Sequence, residues 1–376
     1  MRWERVSGAV SAFLLYAGVN VLFILKYGLR VAPVLPTVAA CAVYVALMAC
    51  VTCVAAALVR RAGRGTIYLF AGMSVAALVA LQLHFDPYSL QVDRWSAIHN
   101  FLANMLRGEY PYAAQTHLGG YGSPFPVWQL FHLPFYLLGN VGFSFVLCLL
   151  LYADAARRLC GLHGAAVAFL LLVLSPAFLY EVSVRSDLMS NFLLCAALIM
   201  YLHRYGVRFG EHWAAVAVIG GLMMSTRLSA VIPLIVYYGR DFLLADIRRK
   251  VCCVLLALLV FALTFLPFAL WDGRMLFFFE YNPFVLQTRQ GLPVNALLIL
   301  VLCVLTSLLW RGRMQRYFPG TAVCLFALVL LTFLSDMFLC DTWGELFSSS
   351  YDISYFNMSL PFAVAALAVR DDVSGC

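Results

Sequence analysis

The chain has 376 residues, of which 64% are hydrophobic and 11% charged, and its net charge is +7. Soluble domains carry about a quarter charged residues, so a water-soluble fold is excluded and lipid is the expected solvent for most of the surface. Apolar runs follow one another without a polar linker, which predicts a single integral membrane domain over residues 1–376. The fold class is all-α, a polytopic transmembrane bundle.

In chain order, apolar runs bounded by charge, Gly or Pro predict about twelve helices. They lie near 7–25, 33–59, 66–84, 128–153, 163–181, 188–203, 212–226, 229–239, 251–270, 292–310, 319–339 and 353–369. The first follows Met1-Arg2-Trp3-Glu4-Arg5 and continues to Leu25 without a small-residue cleavage site, so it reads as a retained helix rather than a signal peptide. The run 229–239 is too short to cross a core of about 30 Å unless it is broken or borrows neighbours. The cysteines fall mostly inside the apolar runs, as small packing residues. No spacing among them suggests a four-ligand zinc site.

With the N-terminus inside, basic residues such as Arg60, Arg61, Arg64, Arg157, Arg158, Arg248, Arg249 and Lys250 fall in short inner connections. The inside is favoured by about two to one, as the positive-inside rule requires, and most acids fall outside. The basic charge is therefore a topology signal, and no nucleic-acid partner is implied. Three outer segments are long, 85–127, 271–291 and 340–352, and long connections in a compact protein are usually functional.

The first of these begins Phe85-Asp86-Pro87-Tyr88 and continues through Gln91-Val92-Asp93-Arg94-Trp95. Trp95, Ile98, Phe101, Leu102, Met105 and Leu106 recur at helical spacing, with His99, Asn100, Asn104 and Arg107 on the other side. That pattern predicts an amphipathic helix lying in the membrane interface and ending at Gly108. Gly119-Gly120-Tyr121-Gly122-Ser123-Pro124-Phe125-Pro126 then forms a turn-rich re-entry, where glycine permits close approach to a ligand. Asp93 starts the helix and has two readings, a first-turn acid favouring the helix dipole or a general base at the membrane surface.

An acid outside a helix end, an amphipathic helix, Gly108-Glu109-Tyr110-Pro111-Tyr112 and a Pro-rich re-entry resemble the first outer loop of one superfamily. These are the polytopic GT-C glycosyltransferases that use polyprenyl-phosphate sugars, and especially the glycolipid mannosyltransferase branch. The resemblance is clearest over 85–135 and extends to Ser175-Pro176 with Arg185-Ser186-Asp187, and to Thr226-Arg227 before Pro233. It implies that Asp93 is the catalytic base, deprotonating an acceptor hydroxyl that attacks the anomeric carbon with inversion while the lipid phosphate leaves. The chain departs from the Asp-x-Asp pair of the eukaryotic enzymes, since Gln91-Val92-Asp93 offers one acid. No metal ligand is assigned, and a divalent ion would require Asp86 to converge with Asp93. Asp86, preceding Pro87, also reads as a turn acid.

Glu181, Arg185 and Asp187 lie where two helices meet at the outer face. They read either as a local ion pair or with Arg185 as a phosphate ligand, since a guanidinium presents a fork to phosphate oxygens. Arg227 has no acid nearby in sequence and is either an anion ligand or a snorkelling side chain. Asp86, Asp187, His117, Gln287 and Arg289 complete the candidate substrate-binding set, although the stretch from Glu280 to Gln290 also fits an interfacial aromatic belt. The last outer segment, with Trp343 and Tyr351, reads as a lid or as a solvated loop.

The expected activity is hexosyl transfer, of mannose by the resemblance, from a polyprenyl-phosphate sugar to a glycan or glycolipid acceptor. Its setting is a bacterial cytoplasmic membrane, with membrane lipids as partners and the site on the outer face. A twelve-helix transporter or flippase is the alternative from another class, disfavoured because no internal repeat is visible and the acids gather at the outer boundary rather than the midplane. An O-antigen polymerase or ligase shares the topology but would carry its large loop late in the chain.

Overall fold

The computed structural model describes residues 2–288, 292–310, 312–340 and 352–369. The described chain is helical apart from connecting turns, with one isolated antiparallel bridge between Gln115 and Tyr121. Seven helices are long and apolar enough to cross a membrane. They are α1 (Arg2–Gly28), α2 (Val34–Arg61), α3 (Arg64–His84), α7 (Phe143–Val173), α12 (Ile247–Phe277), α14 (Pro293–Trp310) and α15 (Met314–Cys340). The protein is therefore an integral membrane protein with several crossings. Leu255, Leu258, Leu259, Leu263 and Leu266 of α12 are exposed, the apolar face that lipid would cover.

Fewer helices reach full length than the apolar runs predict, and particular residues explain the difference. The run expected over 128–153 follows Pro126 and contains Pro134 and Gly139, so α5 (Pro126–Phe131) and α6 (Leu133–Leu137) are short, and α7 begins only at Phe143. Within α7, Gly161 has φ 75° and ψ 175°, a combination open essentially to glycine alone. The two arms fold back on one another there. Phe145 packs edge-on against Phe178 at 5.3 Å between ring centroids, and Gly142 lies against the Arg185 side chain. Next, α8 (Pro176–Ser183) and α9 (Leu188–Arg204) are bent from one another by 115°. Finally, α10 (Phe209–Met224), α11 (Ile232–Leu244) and the apolar segment Ile353–Ala368, which ends in α16 (Leu360–Ala368), are shorter than the roughly 20 residues of a perpendicular crossing.

The segment from Leu360 to Ala368 is buried along its whole length, and a helix apolar all round belongs at the centre of the bundle. Tyr152 donates to the Pro361 carbonyl oxygen at 2.8 Å. Asn20 ties α1 into the same core: its Oδ1 accepts from Ser175 Oγ at 2.6 Å and from the Ala177 amide at 3.1 Å. Ser175 Oγ in turn accepts from the Phe178 amide and caps α8.

The amphipathic helix expected after Asp93 is α4 (Arg94–Arg107), closed by Gly108 in the left-handed conformation at φ 75°. Trp95, Ile98, Phe101 and Leu102 are buried. Phe101 packs against Tyr112 at 4.8 Å and Phe268 of α12 at 5.7 Å. The apolar residues from Trp95 to Leu102 are thus spent on protein contacts, while Leu106 at the end of the same face is exposed.

Candidate active site

Segments far apart in the chain meet at one end of the bundle. The re-entry is stitched to the turn after α10 by the Phe125 amide on the Thr226 oxygen (3.2 Å) and the Val127 amide on the Ser225 oxygen (3.1 Å). With α4, the α8–α9 break and the segment after Asp352, they enclose a polar cavity of about 600 Å³. Asp93, Arg94, Gly120, Tyr121, Asp187, Arg227, Tyr281, Asp352 and Tyr355 are among its lining residues.

Asp93 occupies the residue before α4, yet its side chain makes no capping bond to the helix. The carboxylate turns instead to Thr116, whose Oγ1 donates to Oδ2 at 2.8 Å. Thr116 Oγ1 accepts from the Gly120 amide at 3.0 Å, which sets the direction in which the hydroxyl donates. Gly120 lies so close that a Cβ built there would stand 3.0 Å from Asp93 Oδ2. Among the described residues Asp93 has no cationic partner. A half-buried carboxylate with one oxygen oriented and the other free is suited to accept a proton.

The two other cavity carboxylates are both paired. Asp187 and Arg227 form a buried ion pair, 3% and 5% exposed, and Trp128 Nε1 donates to the same Asp187 oxygen at 2.8 Å. Burial opposes the charge of Asp187, but the Arg227 guanidinium, helped by Arg94, outweighs it and holds the carboxyl below its ordinary range. Arg94 pairs with Asp352 at 2.6 Å and lies over the ring of Tyr355 at 4.6 Å. Tyr121 and Tyr281 stack at 5.2 Å with 7° between ring planes and form an aromatic wall.

A second, apolar cavity of about 550 Å³ lies between α11, α14 and α15, with Ile232, Ile235, Ile299, Cys303 and Leu328 in its walls. Ser123, Arg227, Leu286 and Tyr355 line both cavities, so the two adjoin at Arg227.

Several residues expected at the site lie elsewhere. Asp86 is exposed and accepts from the Tyr88 amide at 3.1 Å, a turn of its own outside the cavity. Arg185 donates to the carbonyl oxygens of Gln82 (2.7 Å) and Phe85 (3.3 Å) and so closes the C-terminal end of α3. It neither lines the cavity nor pairs with Glu181; Glu181 instead accepts from Asn357 at 2.9 Å. His117 is held in the loop, Nδ1 to Ser96 Oγ at 2.7 Å and Nε2 to the Leu90 oxygen at 3.0 Å. Gln287 donates to the Ser123 oxygen at 2.8 Å and lines the apolar cavity. Arg289 and most of the 340–352 loop, with Trp343 and Tyr351, lie outside the described residues.

Sequence reasoning missed Arg94, Tyr121, Asp352 and Tyr355 as site residues. One signal for Arg94 was present: a cation in the first turn of a helix opposes the dipole, and its position immediately after Asp93 needs another explanation. Among the described residues no three His, Cys, Asp or Glu side chains converge as metal ligands. The chain matches no known protein-family model, no curated protein and no solved structure.

Proposed function

We propose that this chain is a GT-C-type membrane glycosyltransferase that uses Asp93 as its general base. The observation that carries the reading is the orientation of Asp93: the carboxylate is turned away from its helix into a polar cavity, fixed by Thr116 and without a cationic partner among the described residues. In the reaction the base takes the proton of an acceptor hydroxyl as its oxygen bonds to the anomeric carbon. The bond from that carbon to the phosphate oxygen breaks, and the phosphate leaves with the electron pair on the opposite face, giving inversion. The adjoining apolar cavity suits a polyprenyl chain, and Arg227 stands where chain and sugar would join.

Twelve passes fit this reading, with the two arms of α7 counted separately, α8 with the second arm, and α9, α10, α11 and 353–368 as short crossings. The distribution of Lys and Arg supports a cavity on the non-cytoplasmic side, and a bacterial cytoplasmic membrane is part of the same reading. The interface position of α4, mannose as the sugar and a glycan or glycolipid as the acceptor belong to the same proposal.

The test is transfer from labelled polyprenyl-phosphate mannose by protein in lipid nanodiscs. A positioned base contributes about 100- to 10,000-fold, so Asp93→Asn is expected to lower transfer at least about 100-fold with donor binding retained. Undiminished transfer by Asp93→Asn would remove the base assignment. Solute uptake by vesicles without any transfer would favour a transporter.

A further inference from the structure

We infer that Arg94 is a second anion ligand in the polar cavity, so that the phosphate of a phosphate ester is held between Arg94 and Arg227. The inference deepens the proposed function and rests on it for the sugar-phosphate nature of the natural ligand. The geometric case is independent. Arg94 and Arg227 both line the cavity, and both side chains are largely buried, with 12% and 6% exposed. Each also keeps a buried N–H without a hydrogen-bond partner in the protein, Nη1 in Arg94 and Nε in Arg227. Guanidinium nitrogens are donors only, and a buried donor left unsatisfied costs about 1–3 kcal/mol. Two arginines that line one cavity and each keep such a donor point to an acceptor-rich ligand there, and a phosphate offers several charged oxygens.

The two arginines differ in how firmly they are held. Arg227 is locked by a buried carboxylate that Trp128 also holds. Asp352 is 48% exposed, so its carboxylate can return to water when a phosphate takes its place on Arg94. Arg94 is the exchangeable arm of the site and Arg227 the fixed one.

Equilibrium binding of farnesyl phosphate to the full chain in nanodiscs tests this without any sugar transfer. Arg94→Gln is expected to weaken binding at least about 10-fold. Asp352→Asn, which removes the competing carboxylate, is expected to tighten it severalfold. Arg107→Gln, on the exposed side of the same helix, serves as the control and should bind like wild type. A merely structural Arg94–Asp352 pair would make Asp352→Asn weaken binding alongside Arg94→Gln, and that result overturns the inference. So does wild-type affinity in Arg94→Gln at an unchanged melting temperature, or no binding by the wild type. Inorganic phosphate competing with equal affinity, and losing it equally in Arg94→Gln, supports the site and assigns it to free phosphate. Binding that follows this pattern without mannosyl transfer leaves the anion site standing while the glycosyltransferase reading falls.

Discussion

Asp187 and Arg227 stand 40 residues apart in the chain and meet in a buried ion pair at the floor of the polar cavity. Asp187 sits in the sharp break between α8 and α9, and Arg227 in the turn that follows α10. Breaking such a pair from one side leaves a buried charge uncompensated, at a cost of about 3–5 kcal/mol. Arg227→Leu and Asp187→Leu are each expected to lower the unfolding midpoint in detergent strongly. The double variant should lose less than the sum of the two, because it strands neither charge. Strictly additive losses would show that the pair is not coupled.

Gly120→Ala tests the placement of Asp93 without touching its charge. The added methyl carbon would stand 3.0 Å from Asp93 Oδ2 and 3.4 Å from Thr116 Oγ1, so the carboxylate must shift by a few tenths of an ångström. Misplacement of a catalytic group on the ångström scale can cost about 100-fold. A fall of roughly 10-fold or more in kcat is expected, with a near-wild-type melting temperature. Unchanged kcat would mean that the position of Asp93 is not critical.

The helices and the cavity were legible to different depths. Helix α4 could be read because Gly108 and the spacing of Trp95, Ile98, Phe101 and Leu102 are local signals. The orientation of Asp93 could not, since a residue before a helix is expected to cap it and only Thr116, 23 residues on, turns it away. The contacts of Arg185 were illegible for a similar reason. Its acceptors are backbone carbonyls at the end of α3, roughly a hundred residues distant, and carbonyls leave no trace in side-chain identity. The Asp187–Arg227 pair depends on how α9 packs against the α10–α11 turn, a tertiary fact.

Gly161 carries the fold-back inside α7, and the prediction there concerns stability alone. At φ 75° and ψ 175° a side chain costs about 1–3 kcal/mol, although nothing lies within 4 Å of an added Cβ. Gly161→Ala is therefore expected to destabilise through backbone strain rather than a clash. The unfolding midpoint should fall while farnesyl phosphate affinity stays near wild type, because the turn is at the opposite end from the cavity. A midpoint equal to wild type would show that the turn relaxes at no cost.

His132 is expected to make the protein acid-sensitive from inside the same network. It lies between α5 and α6, outside the seven long spans, and is 1% exposed. Nδ1 is 2.7 Å from the Trp128 oxygen, and the ring packs edge-on against Trp128, the residue that holds Asp187. Burial pushes its pKa down to about 4, partly offset by the Trp128 carbonyl and Asp187, while Arg227 pushes the same way as burial. The unfolded chain thus takes up a proton near the ordinary value of about 6.5, well before the folded one does. Stability is fully present above about pH 6.5 and falls as the pH drops toward 4, by roughly 3 kcal/mol for this group. His132→Asn, whose amide can keep a donor to the Trp128 oxygen, should flatten the midpoint-versus-pH curve across that window. Asp187, held below its ordinary range, contributes only at still lower pH. A variant with the same slope between pH 6.5 and 4 as wild type would assign the acid sensitivity to other groups.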